Sequence, residues 1–600
     1  MKRDIICKVC LLSAVVLSSC KGFLDEDPKA SYNLDDFRTE ADARKGLNGV
    51  YRNLGSGSVV GTTIKNVTVD LYKRNTFSGE NGLIDYSFNS DNVTFQSMWT
   101  AHYGVIKDCN VLIDNILTNE DNIDDIEWYI AQARGIRAYM YFDLVRWFGD
   151  VPLVLKAYKQ LDVEAMTIPR TPQAEVFKQI IDDYEYCIKY SMKKDDTGNG
   201  YQYGRMTVEA AQGLLAKVYL WMATISKRDR NEMLGNSLEN YRKCMNLCRE
   251  VITSGKYQLT PYYPDVFSEY TKEAAREEVL MCTEGMRGPN TSTITGMSFG
   301  MYGDATQGGS WNTIISTDYH RSIYEPSDSV RKLWNSPRGQ VLENGYLYSW
   351  DYQRYWNPPS APRSLYEVAF ETHGMNFSCG KFRRFPVRNL ETYGQNSGMD
   401  EPLLRYADVL LMYAEAYNEV NGGPGTYSGV AANDFTGNEN MSAYDAVNLV
   451  RKRARIANHG DIHEDLLPRV LNMSLIDHHM NCVPDWRPGF YGYDYSGQIN
   501  VYELREYSSD YEAFLGELLF ERGRELVAET SDRWCDLVRW GKLISQIQLL
   551  RTYFNPVLYR FERDIPEPGA PENIKPHMIL FPIPQAAIDA NRKLTQNPDY

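Results

Sequence analysis

The sequence predicts a mainly α fold, a tetratricopeptide-like helical-pair scaffold with an irregular loop-rich lobe containing short strands. Three observations lead there. Apolar residues recur at helical spacing, with start and stop signals, through both ends of the 600-residue chain. In Thr207–Ala223 small residues (Ala210, Ala211, Gly213, Ala216) face large ones (Leu214, Leu215, Tyr219, Trp221). That alternation lets neighbouring helices approach closely, as in tetratricopeptide-type arrays, although no strict repeat of about 34 residues can be aligned. Between about Gly285 and Met399 the helical period gives way to Gly, Ser, Asn, Pro, Trp and Tyr, the composition of loops and short strands laid over a scaffold. Long ordered loops are where binding function concentrates.

In chain order, a basic start (Lys2, Arg3, Lys8) precedes an apolar run from Leu11 to Leu17, the leading parts of a secretory signal. The run is too short to span a bilayer, which takes about 20 apolar residues. It ends in Leu17-Ser18-Ser19-Cys20, which resembles the lipobox of bacterial lipoproteins and makes Cys20 the expected site of lipid (palmitate-class) attachment. The alternative is an ordinary signal peptide in which Cys20 falls there by chance. Helices are expected at Asp35–Leu54, Ser97–Leu117 and Ile126–Phe148, the last stopped by Gly149 and Pro152. Thr171-Pro172 opens another that reaches about Tyr190, and Thr207–Ala223 is next. Cys244 and Cys248 share a helix face four residues apart, where a core stripe is expected ahead of a metal site. Beyond the loop-rich stretch, helices are expected at Pro402–Val420, Ala443–Arg455 and Tyr511–Trp540, with a glycine-rich loop at Asn421–Gly437.

Composition narrows the function. Hydrophobic content of 43% and charged content of 24% are those of an ordinary soluble globular protein. No apolar run after residue 20 is long enough to cross a membrane. The formal net charge is -15; residues 1–19 carry three basic side chains and Asp4, so removing that +2 leaves a mature chain near -17. An acidic body of this kind repels nucleic acid, whose phosphates need clustered Lys and Arg. Of 11 cysteines, Cys7 and Cys10 leave with the signal and Cys20 takes the lipid; the remaining eight show no CxxC pair and are expected as small buried apolar residues.

Positive signs of catalysis are lacking, and the chain is read as not an enzyme. Gly296-Met297-Ser298-Phe299-Gly300 has the form of a nucleophile elbow, but it lies in a glycine-rich loop with no alternation of strand and helix around it. His459, His463, His478 and His479 share a loop-rich segment without metal-ligand spacing. No P-loop or dinucleotide fingerprint is present. Aromatic side chains give the better lead, with 43 Tyr against 21 Phe. Sugar recognition needs flat apolar faces for pyranose C–H surfaces, with Asn, Asp or Arg for the hydroxyls. Tyr72, Arg74, Asn75 and Phe77 form one such polar-aromatic group; Tyr302, Trp311, Tyr355 and Trp356 form the other, with Trp334 and Trp350 in the same region. The opposing reading for each aromatic is burial in the core.

Five segments resemble the SusD/RagB family of Bacteroidetes outer-membrane lipoproteins: Cys20–Pro28; Ala133–Tyr139 running into Leu144–Pro152 with its Phe-Gly-Asp-Val-Pro ending; Leu404–Ala416 with Arg-Tyr-Ala-Asp; Phe520–Leu526 followed by Asp532–Trp540; and Phe581-Pro582-Ile583-Pro584 with Gln596–Tyr600, where the family usually has Gly before the final Tyr. The resemblance implies a helical scaffold under an irregular lobe. It also implies a SusC-like TonB-dependent outer-membrane transporter as partner, over which the lipoprotein sits as a hinged lid. It divides the chain into a signal at 1–19, an N-terminal helical SusD-like region at 20–284, a loop-rich ligand-binding lobe at 285–399 and a C-terminal SusD/RagB helical region at 400–600. The opposite charges at Arg405/Asp408 and Asp536/Arg539, three residues apart, are expected to share helix faces and to orient packing and the partner surface. The expected function is capture of a polysaccharide or oligosaccharide at the cell surface and its delivery to the transporter, without catalysis. The protein would be held in the outer membrane by its lipid anchor, with more than one acyl chain on Cys20. The acidic body favours neutral or cationic ligands, with Lys381-Phe382-Arg383-Arg384 as a local basic patch. No cofactor is predicted, and a calcium ion in a loop is left open. The rivals are a peptide-binding RagB-like uptake protein and a surface glycoside hydrolase.

Overall fold

The computed structural model describes residues 37–59, 67–74, 81–158, 167–196, 202–269, 271–286, 398–429, 434–454, 509–530, 532–549 and 570–600, separate short stretches between 313 and 382, and the backbone of 553–555 and 560–562. The fold is mainly α. Helices α1 (Glu40–Leu54), α2 (Val93–Thr118), α3 (Ile126–Phe148), α4 (Gln173–Tyr190), α5 (Val208–Asp229) and α6 (Ser237–Thr253) precede the irregular stretch. Helices α7 (Tyr406–Asn421), α8 (Ala443–Arg453), α9 (Asp510–Leu526) and α10 (Asp532–Arg539) follow it. From α2 to α8 each helix packs on the next in sequence, and α9 packs on α7. This is the nearest-neighbour stacking of a helical array.

Local chemistry sets the boundaries. Thr207 and Ser442 cap α5 and α8 by accepting from Ala210 and Asp445 backbone N–H. Gly149 (φ 75°) ends α3 in a backbone region that suits glycine, and its N–H returns to Val145 O at 3.1 Å. α3 is enclosed by α2 and α4 and is buried on almost every face from Tyr129 to Phe148. Its charged members are accordingly paired: Arg137 donates to Asp183 of α4 at 2.9 and 2.8 Å and to Asn110 of α2 at 2.8 Å.

Three sequence expectations change. Pro402, expected to open a helix, lies in strand β5 (Glu401–Arg405), which pairs antiparallel with β2 (Val279–Thr283) in the register Val279↔Arg405 and Thr283↔Glu401. The span expected as one helix at Tyr511–Trp540 is broken after Leu526, where Ala528 (φ 59°) and Thr530 (φ 40°) turn left-handed, and α10 begins afresh at Asp532. The small face of α5 also meets more than a helix: a Cβ on Gly213 would stand 2.6 Å from Leu404 Cδ2, so it admits the β2–β5 ribbon and the start of α7. The seven described cysteines, Cys244 and Cys248 among them, are buried.

Candidate functional site

A three-stranded antiparallel sheet brings the two nominated binding segments together. β1 (Tyr72–Arg74) pairs with β3 (Ile314–Ser316) in the register Tyr72↔Ser316, Lys73↔Ile315, Arg74↔Ile314, and β3 pairs with β4 (Phe377–Ser378). The sheet is anchored from below. Thr317 N–H donates to Leu71 O at 3.0 Å and its hydroxyl to Asp70 O at 2.5 Å, while Val69 N–H donates to Tyr72 O at 2.9 Å. The Asp70 carboxylate receives Arg533 of α10 at 2.8 and 2.5 Å, so residues 67–74 are fixed to a helix more than 450 positions away in sequence.

Of the residues nominated for ligand contact, the described ones are Tyr72 and Arg74. Tyr72 is 2% exposed, its ring within the core, and burial raises its hydroxyl well above the ordinary phenol range. Arg74, partly buried, lies nearer the surface at the end of β1. Asn75, Phe77, Tyr302, Trp311, Tyr355, Trp356 and Trp350 lie outside the described residues, as do Cys20, the Gly296–Gly300 motif and the four histidines of 459–479. Trp334 is a core residue whose indole N–H donates to Lys381 O at 3.1 Å. Lys381, expected in a basic surface patch, is fully buried and bonds Glu525 O (2.6 Å) and the Glu529 carboxylate. Burial pushes its ammonium pKa down to about 8.

Among the described residues lies a feature that no sequence pattern clearly announced, a buried charge network centred on Glu521-Arg522-Gly523-Arg524-Glu525 of α9. Glu525 receives Arg331 (3.0 Å), Arg405 (2.7 Å) and Arg453. Glu521 receives Arg331 at 2.7 Å and both Arg451 and Arg524 at 3.1 Å. Glu278 and Glu529 close the circuit through Arg405, with Arg453 on Glu278 and Lys381 on Glu529. Burial alone would raise Glu525, yet Arg453, Arg405, Arg331 and Lys381 outweigh it and hold its pKa down to about 2. Asp328, Arg331 and Lys381 come from the 285–399 stretch, so these parts of it are rooted on the helical scaffold by charge. The one visible signal was a run of charges at helical spacing inside an apolar segment.

A second network lies on the other side of α9. Lys217 of α5 meets Asp408 at 2.7 Å and Asp532 at 2.9 Å; Arg522 joins Asp408 (2.8 Å) to Asp536 (2.7 Å); Arg539 joins Asp536 (2.8 Å) to Glu415. Asp536 and Arg539 thus pair as their spacing suggested. Arg405 and Asp408 do not: Arg405 ends β5 and turns into the first network, whereas Asp408 points from α7 into the second. Both spacings are interior, where charges are normally buried only when paired. Among the described residues no group of three or more His, Cys, Asp or Glu side chains is placed to hold a metal.

Comparison with known proteins places this architecture. A family model described as the SusD family matches residues 305–600, and one described as starch-binding associating with outer membrane matches residues 22–220. SusD-like protein P25 of Formosa agariphila is 24% identical, the alignment covering 96% of this chain and 95% of that one. Among solved structures, a SusD homolog from Bacteroides thetaiotaomicron superposes with a TM-score of 0.69 at 21% identity, over 95% of this chain and 99% of that one. A laminarin-binding SusD-like protein superposes with a TM-score of 0.58 at 18% identity, over 94% and 100%.

Proposed function

The chain belongs to the SusD/RagB family, and from that premise we propose that it is a non-catalytic, lipid-anchored cell-surface protein that binds a polysaccharide or oligosaccharide and delivers it to a TonB-dependent outer-membrane transporter. The observation that carries the binding reading is the β1–β3–β4 sheet, in which the polar-aromatic segment after Val67 and the loop-rich stretch share one set of hydrogen bonds. A sheet that ties both segments to the helical base is the kind of support that preorganised recognition needs. The laminarin-binding relative supports a glycan as the ligand class. Weak individual sugar contacts would gain effective affinity from repeats along a polymer. Cys20 acylation supplies the tether, and the transporter supplies the route across the membrane.

Isothermal titration of the full mature chain with a panel of neutral and acidic oligosaccharides, beside a peptide digest, tests the reading. Saturable binding of at least one glycan with no peptide binding is expected. Saturable peptide binding with no glycan binding overturns it in favour of RagB-like peptide uptake, and release of reducing ends from a polysaccharide overturns the non-catalytic part.

A further inference from the structure

A polar cluster with free valences lies where the segment leading into α5 meets β2 and β5. Gly204 brings the backbone against β2, and a Cβ there would stand 3.2 Å from Glu284 Oε1 and 3.3 Å from Cys282 O. Tyr203, beside it, is 9% exposed, and its hydroxyl has no partner except the weak Cys282 thiol. Asp400 is 8% exposed; its Oδ1 accepts from Lys272 and from Gly285 N–H at 3.0 Å, while Oδ2 has no partner. The Arg276 guanidinium lies over the Tyr203 ring, 4.9 Å from its centre, with its Nε unpartnered. Arg205 lies over Tyr51 at 4.7 Å with Nη1 unpartnered. Glu284 sits in the field of Asp400, Lys272, Arg276 and Arg205.

Buried polar atoms in folded proteins are nearly always paired, so several unpaired ones in a single place call for a reason. The mix of charges limits what could pair them. An anion would meet Asp400 and Glu284, and a cation would meet Lys272, Arg205 and Arg276. A neutral ligand with donors and acceptors side by side fits: one hydroxyl can donate to Asp400 Oδ2 while it or its neighbour accepts from Arg276 Nε, Arg205 Nη1 or the Tyr203 hydroxyl. Arg276 is the member of the cluster nearest solvent. Its ion pair with Glu273 (2.9 Å) has side chains 41% and 82% exposed, a pairing worth little, so the side chain can swing off the Tyr203 ring.

We propose that Tyr203, Arg205, Arg276 and Asp400 form a saccharide subsite at the root of the loop-rich lobe, taking adjacent hydroxyls of a neutral sugar. This rests on the glycan-binding reading above. Two variants of the full chain, Tyr203→Phe and Arg276→Gln, separate it from a site that holds only solvent. The probes are malto-, laminari- and xylogluco-oligosaccharides, read by calorimetric titration, with melting temperature measured in parallel. Tyr203→Phe removes a hydroxyl that lacks a strong partner, so its melting temperature should equal or exceed that of the parent. Its affinity for the oligosaccharide that the parent binds should fall about five- to tenfold, the usual effect of losing one hydrogen bond to ligand; Arg276→Gln should weaken binding by a similar factor. Unchanged affinity in both variants overturns the subsite while leaving the glycan reading in place. A parent chain that binds no oligosaccharide and takes up peptide overturns both.

Discussion

Replacing Glu525 by Gln removes one negative charge from the centre of the first buried network and keeps the side chain's size. Three guanidinium groups, from Arg331, Arg405 and Arg453, donate to this carboxylate. After the substitution Arg331 keeps Asp328 and Glu521, Arg405 keeps Glu278 and Glu529, and Arg453 keeps Glu278, so the cost is one missing counter-charge rather than three abandoned cations. Depression of the carboxyl pKa from 4.5 to about 2 corresponds to about 3 kcal/mol of preferential stabilisation of the charged form. Breaking a buried ion pair by removing one partner costs about 3–5 kcal/mol, which agrees. The sign follows from linkage: the contribution is complete above the unfolded value of 4.5 and is lost as pH falls toward 2. Urea unfolding followed by tryptophan fluorescence should therefore show E525Q less stable by about 3 kcal/mol at pH 7.5, with a smaller difference from the parent at pH 3.5. Glu277→Gln, at a half-exposed position 4.0 Å from Lys194, serves as the control and should stay within about 0.5 kcal/mol of the parent. A loss below about 1 kcal/mol for E525Q, or one independent of pH, would refute the argument that the network is held together by charge.

Two further outcomes can be measured, one from proton linkage and one from the proposed lipid anchor. Asp265 is 8% exposed and burial raises its pKa to about 7, so the folded chain retains a proton that the unfolded chain gives up from about pH 4 upward, and stability declines as pH rises across that window. Asp265→Asn should match the parent near pH 4 and exceed it by about 2–4 kcal/mol at pH 8; identical pH slopes in urea titrations would count against it. Cys20→Ala should abolish incorporation of radiolabelled palmitate and move the protein from the membrane fraction to the soluble one, whereas continued membrane fractionation would remove the lipid anchor from the proposed function.

Local signals were legible where the chain's neighbours in sequence decide its conformation. Ile126–Phe148 was bounded correctly because Gly149 and Pro152 end it from within. Pro402 was misread because its conformation is set by pairing with β2, more than 100 positions earlier, and an apolar run of that length suits either a strand or a helix. The break after Leu526 has neither Gly nor Pro at its left-handed positions, Ala528 and Thr530, so nothing in the sequence marks it. Charge was the poorest guide. Arg405 and Asp408 have ideal helical spacing, yet the strand ends between them and sends them to different networks, and Lys381 sits in a basic run but is an interior residue. For the candidate site, the sequence nominated both segments; their pairing in one sheet is a long-range contact that no local pattern encodes.

The segment from Phe581 to Tyr600 closes back on the first third of the molecule. Phe581 N–H donates to Trp147 O at 2.7 Å, Asn597 Nδ2 donates to Phe148 O at 3.0 Å, and Arg170 donates to Asn597 Oδ1 at 2.5 Å. The Phe581 ring stacks on Phe95 at 4.6 Å and lies 4.7 Å from Trp534. Helices α2 and α3 therefore leave the ribosome hundreds of residues before the aromatic ring that completes their core. Until then part of their docking face lacks its partner, the kind of transiently exposed apolar surface that makes a late-closing fold prone to aggregation. The last stitch of the helical array is therefore made late, only after residue 581 has been synthesised, an order of events that accords with the export the proposed function requires.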